Sequence, residues 1–192
     1  MDKLANLITD FYIKKNYIPK DKKEFYCYGF KLIIADIINF SIVIILGIIL
    51  KSIADSLIFL LVLCGIRQFS GGFHAKTFWL CRLSMLITFL AVVCFTMLIQ
   101  ENFANYYILI VVNIICVIFI AVFSPVKHPN KKLTSEQKKK NKTKAIITSF
   151  ISSFVSSALI IFKIDKGVTI SLTLAAVVIL MIIGIVNAEG RE

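Results

Sequence analysis

The chain predicts an all-α polytopic membrane protein of about six transmembrane helices with an N-terminal amphipathic helix, and three observations point there. Hydrophobic residues fill 58% of the 192 positions and mean hydropathy is +0.87, more apolar surface than one soluble core of this size would bury. The apolar residues come in runs, most of them near the ~20 residues that a bilayer core of ~30 Å requires. The basic residues fall in alternate segments between those runs, as expected when Lys and Arg are retained on the cytoplasmic side.

The elements follow in order. Leu4, Leu7, Ile8, Phe11 and Tyr12 recur at helical spacing, with Lys3, Asn6, Asp10 and Lys14 on the opposite face. Residues 1–18 are therefore read as an amphipathic interfacial helix on the inner membrane surface; a cytosolic flap or a dock for an amphipathic substrate would carry the same pattern. Pro19 breaks it. The spans are then Phe30 to Leu50, Ser52 to Ile66, Thr77 or Cys81 to Ile99, Tyr106 to Phe123, Ala145 to Phe162 and Gly167 to Val186. The second is short. Its 15 residues between Lys51 and Arg67 rise roughly 22 Å, so it either recruits flanking residues or draws its ends into the membrane. Four spans plus two re-entrant or interfacial segments are the alternative. Ser124-Pro125 and Pro129 stop the fourth span and open a basic loop over residues 124–144. The small residues Ser149, Ser152, Ser153, Ser156 and Ser157 form a stripe suited to close helix approach. The whole chain, 1–192, reads as a single integral membrane domain, and its mixed, charged start does not read as a cleaved signal.

With the N-terminus inside, 19 basic residues fall on the cytoplasmic side, and Lys51, Lys163 and Lys166 fall opposite. Both termini are thus expected in the cytoplasm of a multi-pass cell-membrane protein. The net charge of +11 is expected from this topology, not from a basic domain built to bind nucleic acid, and the Lys131 to Lys144 run could in addition attract anionic membrane lipid or an acidic peptide. The five cysteines, Cys27, Cys64, Cys81, Cys94 and Cys116, show no CxxC spacing, so neither a metal site nor a redox motif is expected, and no cofactor is implied.

Cys64, Cys94 and Cys116 sit inside apolar runs and behave as small hydrophobes. Cys81 differs. It follows His74 by seven residues, in the segment Arg67-Gln-Phe-Ser-Gly-Gly-Phe-His-Ala-Lys-Thr-Phe-Trp-Leu-Cys81. A thiol that can ionise, with an imidazole to take and return its proton, is the pair nucleophilic catalysis needs. If Thr77 caps the third span, Cys81 lies in or just after its first turn, where helix-end amides and the cations of Lys76 and Arg82 favour the thiolate. On one unbroken helix residues seven apart are ~10 Å distant along the axis, too far for proton transfer. The helix must therefore break between them, and Gly71-Gly72 just upstream supplies flexible backbone, so that His74 folds back over Cys81 or meets a cysteine of a partner subunit. The glycine amides, and more weakly Gln68, are candidates for an oxyanion. Arg67 could hold a substrate carboxylate or a phospholipid. Asp36, inside the first span, is the candidate acid to orient the imidazole, or else an acid that reaches the interface to pair with a lysine. His128 reads as a loop residue.

Arg67, Gly71-Gly72, Phe73, His74-Ala75 and Cys81 resemble the motif of the accessory gene regulator protein B (AgrB) family, membrane cysteine endopeptidases that process quorum-sensing propeptides. The likeness extends to the span arrangement and to the proline-containing basic loop before the last two spans. It implies His74 and Cys81 as the catalytic pair on the cytoplasmic side, an AgrD-like propeptide as substrate, and a homodimer. It also implies a reaction: removal of the propeptide's C-terminal tail through a thioester acyl-enzyme, then cyclisation to a thiolactone or lactone. Two other classes stay open. A membrane peptide transporter would line its path with His74, Arg67 and Asp36, and a non-catalytic scaffold would bind a partner through its lysines.

Overall fold

The computed structural model describes residues 2–71, 77–100, 106–126 and 134–189, and it divides into two compact units, residues 1–46 and 47–192. Its described elements are α1 (Asp2–Lys14), a 3-10 turn (Lys20–Lys22), α2 (Lys23–Ile49), α3 (Ile53–Ser70), α4 (Phe78–Gln100), α5 (Tyr106–Phe123), α6 (Ser135–Ile161) and α7 (Lys166–Glu189). Six of these helices, α2 to α7, are long and apolar enough to cross a membrane. The molecule is an all-α polytopic membrane protein. Short spans are completed by their flanks: α3 continues through Arg67 to Ser70, and its 18 residues rise about 27 Å.

In the first unit α1 packs its polar face against α2. Asp2, Asn6 and Asp10, spaced by one turn each, face Lys31, Cys27 and Lys23 of α2. Asp2 pairs with Lys31 at 2.7 Å and Asp10 with Lys23 at 2.6 Å, while the Cys27 thiol donates to Asn6 Oδ1 at 3.3 Å. Tyr12 stacks on Phe30. The apolar side chains Leu4, Leu7 and Phe11 stay exposed, the arrangement of a helix whose oily side meets lipid or another partner. The Lys31 ammonium beside Asp2 holds its carboxyl below the usual carboxylate range.

In the second unit α7 is central, packing against α3, α4, α5 and α6. Over half of its most apolar stretch is buried, and Val168, Leu174, Val177 and Met181 are almost wholly covered. Phe59 of α3 meets Phe89 of α4 with centroids 5.3 Å apart. Outward-facing residues of α5 are apolar too. Ile108, Val111, Ile115, Ile118 and Val122 are exposed at helical spacing, as on a surface whose solvent is hydrocarbon.

Two tight turns join neighbouring helices in the same way. Lys51 and Lys163 take positive φ (54° and 56°), the Ser52 N–H returns to Gly47 C=O, and the Ile164 N–H returns to Leu159 C=O. These 6→1 bonds are the Schellman termination, here with lysine where glycine is usual. Gly47 is required at the first turn, because a Cβ there would overlap the Ser56 hydroxyl.

The expected serine stripe packs as read: Ser149, Ser153 and Ser156 are buried. Ser156 does more, since its hydroxyl donates to Gly167 C=O at 2.8 Å, lies 2.7 Å from Ser171 Oγ and accepts from Asn113 Nδ2 at 3.1 Å. Of the segment expected to be a basic loop over 124–144, the part from Ser135 onward is helical. Residues 127–133 lie outside the described residues, but α6 already begins at Ser135, under a capping box in which the Thr134 hydroxyl accepts from the Gln137 N–H and Gln137 Oε1 accepts from the Thr134 N–H. Lysines 138 to 144 therefore ride on a helix.

Candidate functional site

Cys81 lies at the beginning of α4, at the end of the helix cluster where α3 and α5 finish. Thr77 caps this helix as the sequence led one to expect: its hydroxyl accepts from the Leu80 N–H at 3.3 Å, and its carbonyl accepts from the Cys81 N–H at 3.1 Å. Cys81 is thus the first residue of α4 whose amide closes an intrahelical bond, and its side chain is half-buried. The Arg82 guanidinium sits 5.7 Å from the centroid of the Trp79 ring, a cation–π pair that places a positive group beside the thiol's turn. Trp79 was not singled out from the sequence.

His74 and Gly72 fall in residues 72–76, outside the described residues, as does His128. Their approach is described. α3 ends at Ser70, and the Gly71 N–H donates to Arg67 C=O at 3.1 Å, so this amide caps α3. Of the candidate oxyanion donors, Gly71 is therefore committed to its helix, and Gln68 is exposed in the last turn of α3. Arg67 is half-buried on that turn. Asp36 belongs to α2, in the first unit.

At Gly71 the backbone takes φ 73° and ψ −155°, a region only glycine occupies comfortably. The Val126 N–H donates to Ser70 C=O at 2.9 Å, and a Cβ placed on Gly71 would stand 3.1 Å from Val126 O. Nearby, the Lys144 ammonium lies 5.1 Å from the centroid of the Phe69 ring. Nothing in the sequence linked the residues after α5 to the Gly-Gly motif, since a backbone bond leaves no residue-type signature.

Beside Cys81, an apolar groove of about 710 Å³ runs between α4 and α7. Leu80 and Ser84 line it at the Cys81 end, and Ala175 and Ala176 hold it open from α7. An apolar segment entering from the membrane would meet the thiol's end of α4 along this path.

Six helices long and apolar enough to cross a membrane define a multi-pass α-helical membrane protein. The chain belongs to the accessory gene regulator B (AgrB) family, which matches residues 5–186. It is similar to the protein FsrB of Enterococcus faecalis, 30% identical over 87 residues. That match spans 42% of this chain and 36% of FsrB. No solved structure matches.

Proposed function

We propose that this protein is a membrane cysteine endopeptidase that removes the C-terminal tail of an AgrD-like propeptide, with Cys81 as nucleophile and His74 as its base. The observation that carries the reading is the place of Cys81: a half-buried thiol in the opening turn of a Thr77-capped helix, between residues Leu80 and Ser84 that line an apolar groove. His74 is three residues from Thr77, so extended chain length alone keeps its Cα within ~11 Å of the cap.

The chemistry balances as acyl transfer. His74 takes the thiol proton, Cys81 sulfur forms a bond to the scissile carbonyl carbon, and the C–N bond breaks as the proton passes to the leaving amine. A thiol or hydroxyl of the bound propeptide then attacks the thioester. The new ring bond forms, the enzyme's C–S bond breaks, and the attacking group's proton returns through His74 to the thiolate. Limited water at a recessed, apolar site lets ring closure compete with hydrolysis. The basic start of α6 would hold an acidic tail, the site would face the cytoplasm along with both termini, and the protein would act as a homodimer, as the family likeness implies.

The test is intact mass of liposome-embedded protein and a candidate propeptide after incubation. An acyl adduct with a released tail, absent in Cys81→Ala and strongly slowed in His74→Ala, is the expected result. Peptide that binds the native protein yet gives neither adduct nor tail would turn the reading toward transport or scaffolding.

A further inference from the structure

The chain's exit from α3, at Gly71, is set by a segment far away in sequence. α3 ends in carbonyls that its own helix cannot satisfy, and Ser70 is fully buried, so its C=O needs a partner from elsewhere. That partner is the Val126 N–H, at 2.9 Å, just past the end of α5. One residue on, Gly71 turns the chain through φ 73° and ψ −155° with Val126 O packed where a side chain would start. Val126 itself is buried. The exit direction of the chain, three residues before His74, is thereby set from two sides: by a backbone conformation open to glycine, and by the backbone of Val126.

We propose that Val126 is a positioning residue for the reaction, acting through its main chain: its N–H latches Ser70 and its C=O confines Gly71, which fixes the direction in which the chain leaves α3 ahead of the proposed base. The inference rests on the peptidase reading above. It also assigns Gly71 a role in chain direction, which uses its amide and its missing side chain and leaves transition-state contacts to other groups. Because placement of a reacting group by 1 Å can change a rate by about 100-fold, a latch at this distance along the chain acts on turnover and leaves substrate affinity alone.

Three variants of the full-length protein in liposomes separate the possibilities. Val126→Pro removes the latch proton, Val126→Ala keeps it while removing side-chain bulk, and Gly71→Ala disturbs the same contact from the other side. Each is measured for propeptide binding and for the single-turnover rate of acyl-enzyme formation at saturating propeptide, by intact mass. Val126→Pro and Gly71→Ala should bind the propeptide as the native protein does and acylate about 100-fold more slowly, with Val126→Ala within about threefold of native. Val126→Pro acylating at the native rate, or Val126→Ala falling as far as Val126→Pro, would overturn the positioning role while leaving the peptidase reading intact. Should Val126→Pro not yield folded protein, Gly71→Ala decides by the same criteria. Native protein that binds the propeptide and forms no adduct overturns both readings together.

Discussion

The two ends of the helix cluster in residues 47–192 are joined by different means. Where α3, α5 and α7 begin, side chains do the work: Asp55, buried in the first turn of α3, receives the Lys166 ammonium at 2.8 Å and the Thr169 hydroxyl at 2.6 Å, and the Tyr106 hydroxyl reaches Asp165 at 3.2 Å. Just inside them lies the Asn113, Ser156 and Ser171 network. Where α3 and α5 finish and α4 starts, the joint among the described residues is the main-chain bond between Val126 and Ser70, with Lys144 over Phe69 beside it. A network of several side chains loses a fraction of its strength when one is deleted, and it fixes an end of a bundle firmly. A main-chain latch beside a glycine is insensitive to most substitutions and very sensitive to a few, which suits an end that must aim a reactive group.

This contrast can be broken at the networked end first. Gly167→Ala should cost about 3 kcal/mol of stability, since a Cβ would come within 2.8 Å of Ser156 O and 3.0 Å of the Ile160 N, where backbone must move. Thermal unfolding in detergent reads it, and acylation by the surviving folded fraction should stay near native. Asp55→Ala comes next, at about 2 kcal/mol: breaking a buried pair is expensive, but the Lys166 side chain is 39% exposed and its charge can turn to water. Asn113→Leu should change stability by under about 1 kcal/mol in the same assay, because Asn113 Oδ1 is already without a partner and Ser156 keeps its bonds to Gly167 and Ser171. A loss of acylation larger than the loss of folded protein in any of these would erase the distinction between the ends.

The smallest effect belongs to the first unit. The Asp2 carboxyl is held below its ordinary value by Lys31, so pairing favours the docked α1 above about pH 4 and fades as pH falls through the depressed value. Asp2→Asn should lower the hydrogen-exchange protection of α1 slightly at pH 7. The difference from native should shrink as pH falls below about 4 and vanish only once the pH lies below the depressed value, where Asp2 is protonated in both folded and unfolded chains.

Much of this architecture was legible in the residues. Spans could be read because a bilayer imposes a length, and Thr77 as a cap because its position before an apolar run is a local signal. The early start of α6 was legible too and was passed over: Thr134-Ser-Glu-Gln137 is a capping-box pattern, masked by the expectation that a lysine cluster is loop. Asn113, a lone amide within an apolar run, gave a similar sign. The pairing of Asp55 with Lys166 spans 111 positions and could not be read from either neighbourhood. The same holds for the Val126 latch. For the candidate site, Cys81 is placed at its helix start and Gly71 at its turn, while the expectations for His74 and Gly72 fall outside the described residues.

The ladder between α1 and α2 has a further meaning. It runs acid, amide, acid along one helix and base, thiol, base along the other, one helical turn per rung. Slide α1 by one turn in either direction and an acid meets the thiol while a lysine meets the amide, so both ionic rungs are lost together; slide it by less and the rungs face nothing. Each exposed ion pair is worth little by itself, yet the order of the three rungs makes one alignment distinguishable from its neighbours, much as a single polar position sets the register of a coiled coil. The N-terminal helix is thereby indexed, carrying its exposed leucines and phenylalanine at one fixed height along α2.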